Sequence, residues 1–212
     1  MKKTLTLFGL LLMCLLTFAQ NPCPQVIPAL QQWKGAKGTL ALPAQGSIVI
    51  NPQDEATLGQ TASILADDLK ELMGWEYSIT TGKAKKNDIY LSLSQADEQL
   101  GKEGYVLAIN NKVSIEAPTT QGVFWGTRTL LQMLYRQKAT LAKGTTRDWP
   151  EFPSRGFMLD VGRKFFTLEY LKQQIKVMSF YKMNEFQIHL NDNGFPQFFD
   201  NDWNKTYAAF RL

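Results

Sequence analysis

Of the side chains that most often act as bases, nucleophiles or metal ligands near neutral pH, the 212 residues hold one histidine, His189, and two cysteines, Cys14 and Cys23. That count excludes a histidine-rich metal site, and a lone histidine and cysteine cannot assemble a zinc site on their own. No metal and no cofactor is expected. The polar residues best placed for chemistry lie in the last third of the chain: Asp160, Arg163, His189 and Asp192. Adjacent Asp-Glu pairs, a starting point for acid–base work, occur at Asp54-Glu55 and Asp97-Glu98, at a helix start and in a polar loop, away from that set.

The elements that must position the four residues read as β-α-β, an order that implies parallel pairing. Gly156 to Val161 is a strand, Leu168 to Met183 a helix and Glu185 to Leu190 a second strand. Thr167 caps the helix, Glu169 complements its dipole, and Leu168, Leu171, Ile175 and Met178 form its buried stripe. Asn184 reads as a left-handed stop. In the strands, Phe157 and Leu159 oppose Met158 and Asp160, while Phe186, Ile188 and Leu190 oppose Gln187 and His189. A parallel sheet covered on both faces carries apolar side chains on both, whereas here one face turns polar toward its C-terminal end. A (β/α)8 barrel accounts for this, since its helix-facing side is apolar and its active site forms at the C-terminal strand ends. Arg163 and Asp192 fall just past those ends. The plainer alternative is that Asp160 and His189 satisfy each other on neighbouring strands.

Upstream the pattern is different. Ser47 to Ile50 and Ile89 to Leu93 read as short strands, the latter turning Tyr90, Ser92 and Ser94 to its other face. Between them a helix from Glu55 to Met73 carries the stripe Leu58, Ala62, Leu65, Leu69 and Leu72 and stops at Gly74. Tyr105 to Ile109 and Val113 to Ala117 form a hairpin around Asn110 and Asn111, and a helix follows from Gln121 to Tyr135. Together these predict an α+β sandwich, a sheet with two helices on one face. It shows no catalytic constellation; Lys83, Lys85 and Lys86 read as a solvated loop and Trp125 as core. The change of pattern near Thr145 to Pro153, bracketed by Pro150 and Pro153, marks the join, so residues 20–150 form the first domain and 151–212 the start of the barrel.

The stretches RGFMLDVGRKFF (Arg155 to Phe166) and YKMNEFQIHLNDN (Tyr181 to Asn193) resemble the first two barrel strands of glycoside hydrolase family 20, the β-N-acetylhexosaminidases. EGYVLAI from Glu103 and GVFWGTRTLLQML from Gly122 resemble the end of that family's accessory domain. The resemblance implies that Arg163 holds hydroxyls of the sugar in the cleavage subsite, a task suited to a fork of fixed donors. It also implies that Asp192 lines the same pocket, with His189 and Asp160 in support, and that the partner is a glycan ending in N-acetylhexosamine. Members of that family use an adjacent Asp and Glu from a later strand. The glutamate protonates the leaving oxygen, and the aspartate steers the substrate's own 2-acetamido group, an exception to the two-carboxylate rule. No Asp-Glu pair follows Pro150. A barrel takes about 250 residues and 62 follow Pro150, so two strands of eight are expected, the catalytic pair is expected beyond residue 212, and this chain alone is expected to be inactive. Two departures stand out: Asn193 where the family often has a second aspartate, and the run Gly194 to Phe210, whose Phe198, Phe199, Trp203 and Tyr207 either rim the pocket or pack on other barrel parts. The alternatives are a non-catalytic carbohydrate-binding module and a relative in family 84 or 67.

At the start, Lys2 and Lys3 precede the apolar run Leu5 to Phe18 and the small residue Ala19, the pattern of a signal peptide over residues 1–19. The run is too short for a convincing membrane span, and Met13 and Pro22 before the two cysteines argue against a lipid anchor. Export to the periplasm, cell surface or medium is therefore expected. Cleavage leaves Cys23 alone, so no internal disulfide can form. The net charge falls from +4 to +2 with the two leader lysines, a balance that offers nothing to nucleic acid.

Overall fold

The structure, a computed structural model, describes residues 20–94, 97–137, 139–162, 164–190 and 196–205. The leader at 1–19 lies outside the described residues. The chain divides into two compact units, one ending at Trp149 and one beginning at Pro150.

The first unit is a seven-stranded mixed sheet in the order β1-β7-β5-β6-β4-β2-β3. Its strands are β1 (Gln32–Ala41), β2 (Gln45–Ile50), β3 (Glu76–Thr81), β4 (Ile89–Leu93), β5 (Tyr105–Ile109), β6 (Val113–Ala117) and β7 (Thr140–Asp148). β2 runs parallel to β3 and β4, and β4 parallel to β6; the remaining pairs are antiparallel. The register lines up Thr146, Leu107, Ile115, Leu91 and Ile50 in one buried row. Arg147, Val106, Glu116 and Ser92 form the neighbouring row on the opposite face.

Two helices, α1 (Glu55–Met73) and α2 (Thr120–Gln137), lie side by side over the buried row. α1 ends where Gly74 takes φ 69° and donates its N–H to Lys70 O, the left-handed stop that glycine adopts without a Cβ penalty. Its buried face is Leu58, Thr61, Ala62, Leu65 and Leu69; Leu72, expected in the stripe, is instead exposed in the last turn. α2 sits so close to the sheet that a Cβ on Gly126 would run into Ile115 and the Tyr105 ring. Trp125 is core. The helices are joined by Asp68 and Arg128, whose guanidinium is buried and also lies 4.5 Å over the Phe124 ring. Burial pushes the Arg128 pKa down, and Asp68 opposes that shift.

Three strands, β1, β3 and β7, have no counterpart among the sequence expectations. Each carries many polar or small residues and reads as strand only through its neighbours. The stretch from Thr145 to Asp148, read as the start of the join, is the second half of β7, paired to both β1 and β5. Asp148 closes this strand in a buried cluster. Tyr105 Oη donates to Asp148 Oδ2 at 2.5 Å, Thr129 donates in turn to the Tyr105 oxygen at 2.5 Å, and the Gln31 N–H reaches Asp148 Oδ1 at 3.0 Å. Burial, reinforced by the Asp148 charge, holds the Tyr105 phenol well above its ordinary pKa.

The second unit contains β8 (Gly156–Asp160), α3 (Leu168–Phe180) and β9 (Glu185–His189), with β8 and β9 parallel. Short 3-10 turns follow at Pro196–Phe199 and Trp203–Lys205. Thr167 caps α3 by accepting the Tyr170 N–H at 3.2 Å.

Candidate functional site

The described part of the site is the C-terminal end of β8 and β9. Register pairs Asp160 with His189, Met158 with Gln187 and Phe157 with Phe186. Because paired residues of adjacent strands share a face, Asp160 and His189 sit side by side on the face that also bears Met158 and Gln187. On the other face Phe157 and Phe186 stack with ring centroids 6.1 Å apart. Past the strand ends, the Val161 and Gly162 N–H groups both donate to His189 O at 3.0 Å. That double bond to one carbonyl turns the chain after β8 across the end of β9. Asp160 and His189 are half-buried.

What aligns the two strands lies at their opposite end, in residues to which pattern reading gave no such task. The Arg155 N–H donates to Asn184 Oδ1 at 2.9 Å, and the Asn184 N–H returns a bond to Arg155 O at 3.0 Å. Asn184 Nδ2 donates to Pro153 O, Arg155 Nε to Lys182 O and Arg155 Nη1 to Phe152 O. Ser154 Oγ donates to Glu185 Oε2 at 2.7 Å. A slip of one residue would swap the two faces, so this clasp is what keeps Asp160 beside His189. The visible signal was an arginine and an asparagine directly before two apolar strands.

Two expectations about α3 are corrected. Asn184 is not the left-handed stop; Lys182 takes that conformation at φ 59°, while the Lys182 and Met183 N–H groups bond Ser179 O and Met178 O. The helix accordingly ends at Phe180, and the Asn184 side chain is free to clasp Arg155. Nor is the stripe Leu168, Leu171, Ile175, Met178 buried as a whole. Met178 alone is fully covered, and Leu168 and Ile175 are exposed, because two strands offer one helix only a narrow floor.

Arg163, Asp192 and Asn193 lie outside the described residues, as does Tyr207; of the remaining aromatics in that run, Phe199 is half-buried. Among the described residues no group of three His, Cys, Asp or Glu could hold a metal ion. No described helix is long and apolar enough to cross a membrane. The aspartate of each acid pair in the first unit has a structural task. Asp54 Oδ2 accepts from Asn51 Nδ2 and the Leu93 N–H, and Asp97 is paired with Arg147, whose hydrogen bond pulls its carboxyl below the ordinary range.

Two parallel strands joined through a helix, with a polar face at their C-terminal ends, fit the start of a (β/α)8 barrel that follows a helix-backed sheet in the chain. The sequence models of glycosyl hydrolase family 20 match both parts, domain 2 over residues 23–149 and the catalytic domain over residues 152–201. The chain belongs to glycoside hydrolase family 20. It is 30% identical over 179 residues to a beta-hexosaminidase of Porphyromonas gingivalis, covering 79% of this chain and 22% of that protein. It is 28% identical over 163 residues to a lacto-N-biosidase of Bifidobacterium bifidum, covering 76% of this chain and 14% of that protein. Among solved structures, the Streptomyces plicatus N-acetyl-beta-hexosaminidase in complex with Thio-NAglucal superposes with a TM-score of 0.70 at 29% identity, over 82% of this chain and 36% of that one. The chain thus spans about a fifth or less of the length of these two curated relatives.

Proposed function

We propose that this chain is the accessory domain and part of the sugar-holding wall of an exported, exo-acting β-N-acetylhexosaminidase that removes terminal N-acetylhexosamine from glycans with retention, assisted by the substrate's acetamido group. The observation that carries the reading is the register of β8 and β9, which puts Asp160 beside His189 at the C-terminal strand ends, on the face opposite the Phe157–Phe186 stack. Arg163 and Asp192 follow those ends within three residues in sequence. In this scheme Arg163 donates a planar fork of hydrogen bonds to sugar hydroxyls, Asp192 accepts from others, and Asp160 and His189 orient them. Residues 151–212 contain no adjacent Asp-Glu pair, so the proton donor and the acetamido-steering aspartate come from outside this sequence.

The test is release of p-nitrophenol from p-nitrophenyl N-acetyl-β-glucosaminide and its galactosaminide counterpart, by the full-length protein and by residues 20–212 in parallel. Turnover by the full-length protein alone is expected. Turnover by residues 20–212 would overturn the assignment of the acid to other residues, and inactivity of the full-length protein on both substrates would overturn the hexosaminidase reading. Export is checked separately, by N-terminal sequencing of the mature protein, which should begin at Gln20.

A further inference from the structure

The seven-stranded sheet ends in two edge strands that are treated differently. Along β1 the register to β7 shifts between Gly35 and Thr39, Gly38 sits at φ 81°, and Lys34 lies just before the irregularity and Lys37 within it. Asn21 then covers this edge, its N–H donating to Ala36 O at 3.1 Å and its Nδ2 to Gly38 O at 2.7 Å. A bulge, lysines and a covering segment are the devices that keep natural sheet edges from pairing with other chains. β3, at the opposite edge, has none of them. Its six residues (EYSITT) pair with β2 in unbroken register, contain neither lysine nor proline, and are exposed from Ser78 to Thr81. Among the described residues, no strand pairs with its outer side.

Backbone parity decides what could pair there. The Glu76 N–H reaches Ala44 O at 2.8 Å and the Gly82 N–H reaches Ile50 O at 3.1 Å, both toward β2. Peptide groups alternate sides along a strand, so Tyr77, Ile79 and Thr81 direct theirs outward. An antiparallel partner must set its own outward-directed residues opposite these three. For a second copy of this chain the self-complementary solution puts Ile79 opposite its own equivalent and Tyr77 opposite the equivalent of Thr81. The two-fold axis then stands perpendicular to the sheet, with the helices of both copies on the same side. Ile79, 43% exposed although its β2 partner Ile48 is fully buried, would cover its remaining surface against its equivalent. The charges agree with this arrangement. Antiparallel pairing brings Glu76, the one charged residue of β3 and already paired at 3.2 Å with the exposed Lys70 of its own chain, beside the loop after Gly82 of the other copy, where Lys83, Lys85 and Lys86 are also exposed. The same acid–lysine junction recurs at both ends of the paired strands, as an isologous contact requires.

We propose that β3 is a homodimerisation edge, through which two copies of this chain join their sheets antiparallel about Ile79. The test is sedimentation velocity of the intact chain over a range of concentrations, with circular dichroism to confirm the fold of each variant. A reversible monomer–dimer equilibrium is expected. Ile79→Pro removes an outward N–H that β2 does not use, a position where an edge strand tolerates proline, and Ile79→Lys sets two ammonium groups face to face on the axis. Each should raise the dimer dissociation constant by about tenfold or more, the proline by the loss of roughly one net hydrogen bond and the lysine by like charges set directly opposite each other. Glu76→Lys and Lys83→Glu should each weaken the dimer, and the double exchange should restore it with no change of fold. A chain that stays monomeric at every concentration would overturn the proposal. So would a dimer indifferent to both Ile79 substitutions, or one that the Glu76–Lys83 exchange fails to rescue.

Discussion

Arg163 is expected to hold a sugar through two or more parallel donors, and lysine cannot reproduce that fork. Arg163→Lys in the full-length enzyme should therefore lower kcat/KM by roughly 10- to 100-fold, the equivalent of about 1.5–3 kcal/mol for hydrogen bonds from a charged donor. Steady-state kinetics on a chromogenic N-acetylglucosaminide reads this directly, and an unchanged kcat/KM would remove Arg163 from the pocket. A second residue-scale expectation concerns pH. Burial, with a smaller push from the Asp88 charge, raises the Tyr77 pKa to about 12, while its hydroxyl donates to Pro43 O at 2.8 Å. The folded chain keeps a proton there that the unfolded chain gives up from about pH 10. The stabilisation is thus complete below pH 10 and lost as pH rises from 10 through 12. Chemical denaturation between pH 9 and 12 should show stability falling along that window, less steeply for Tyr77→Phe.

At the scale of elements, the α1–α2 pair tests what a buried charge costs. Arg128 is buried and its charge is met by Asp68. Asp68→Ala leaves that guanidinium uncompensated and should destabilise the first unit by about 3 kcal/mol, whereas Arg128→Met, which removes the buried charge itself, should cost less. Urea midpoints of the two variants decide the order; an equal or reversed ranking would mean that the pair is well solvated. Gly126→Ala probes the seat of α2 on the sheet. The added Cβ meets Ile115 and the Tyr105 ring, so the gain in helix propensity should be outweighed by overpacking of about 1–3 kcal/mol.

At the scale of the whole molecule, nearly all the buried apolar side chains belong to the first unit. Among the described residues of the second, only Val161 and Met178 are buried apolar residues, while Phe157, Met158, Leu168, Ile175 and Val177 are exposed. A chain ending at Trp149 should therefore melt cooperatively in calorimetry. Residues 150–212 alone should give no cooperative transition and should bind a dye such as ANS, because a β-α-β unit this small cannot bury its own apolar surface. A sharp melt of residues 150–212 would contradict this account.

Local pattern was enough wherever an element carries its own signal. The span of α1 and its glycine stop, the hairpin at Tyr105–Ile109 and Val113–Ala117, and the alternation of Asp160 and His189 with apolar neighbours were legible because period and capping are properties of adjacent residues. Polar strands β1, β3 and β7 were not, since they are strands only by virtue of the ladders they join. The same holds for the site. Its residue types were readable along the chain. The Arg155–Asn184 clasp that sets the register, and with it the neighbours of Asp160, appears only when two strands separated by a helix meet. Hydrogen bonds between residues 29 positions apart leave no periodic trace, so the sequence by itself determined which residues could act and the tertiary structure decided which of them stand together.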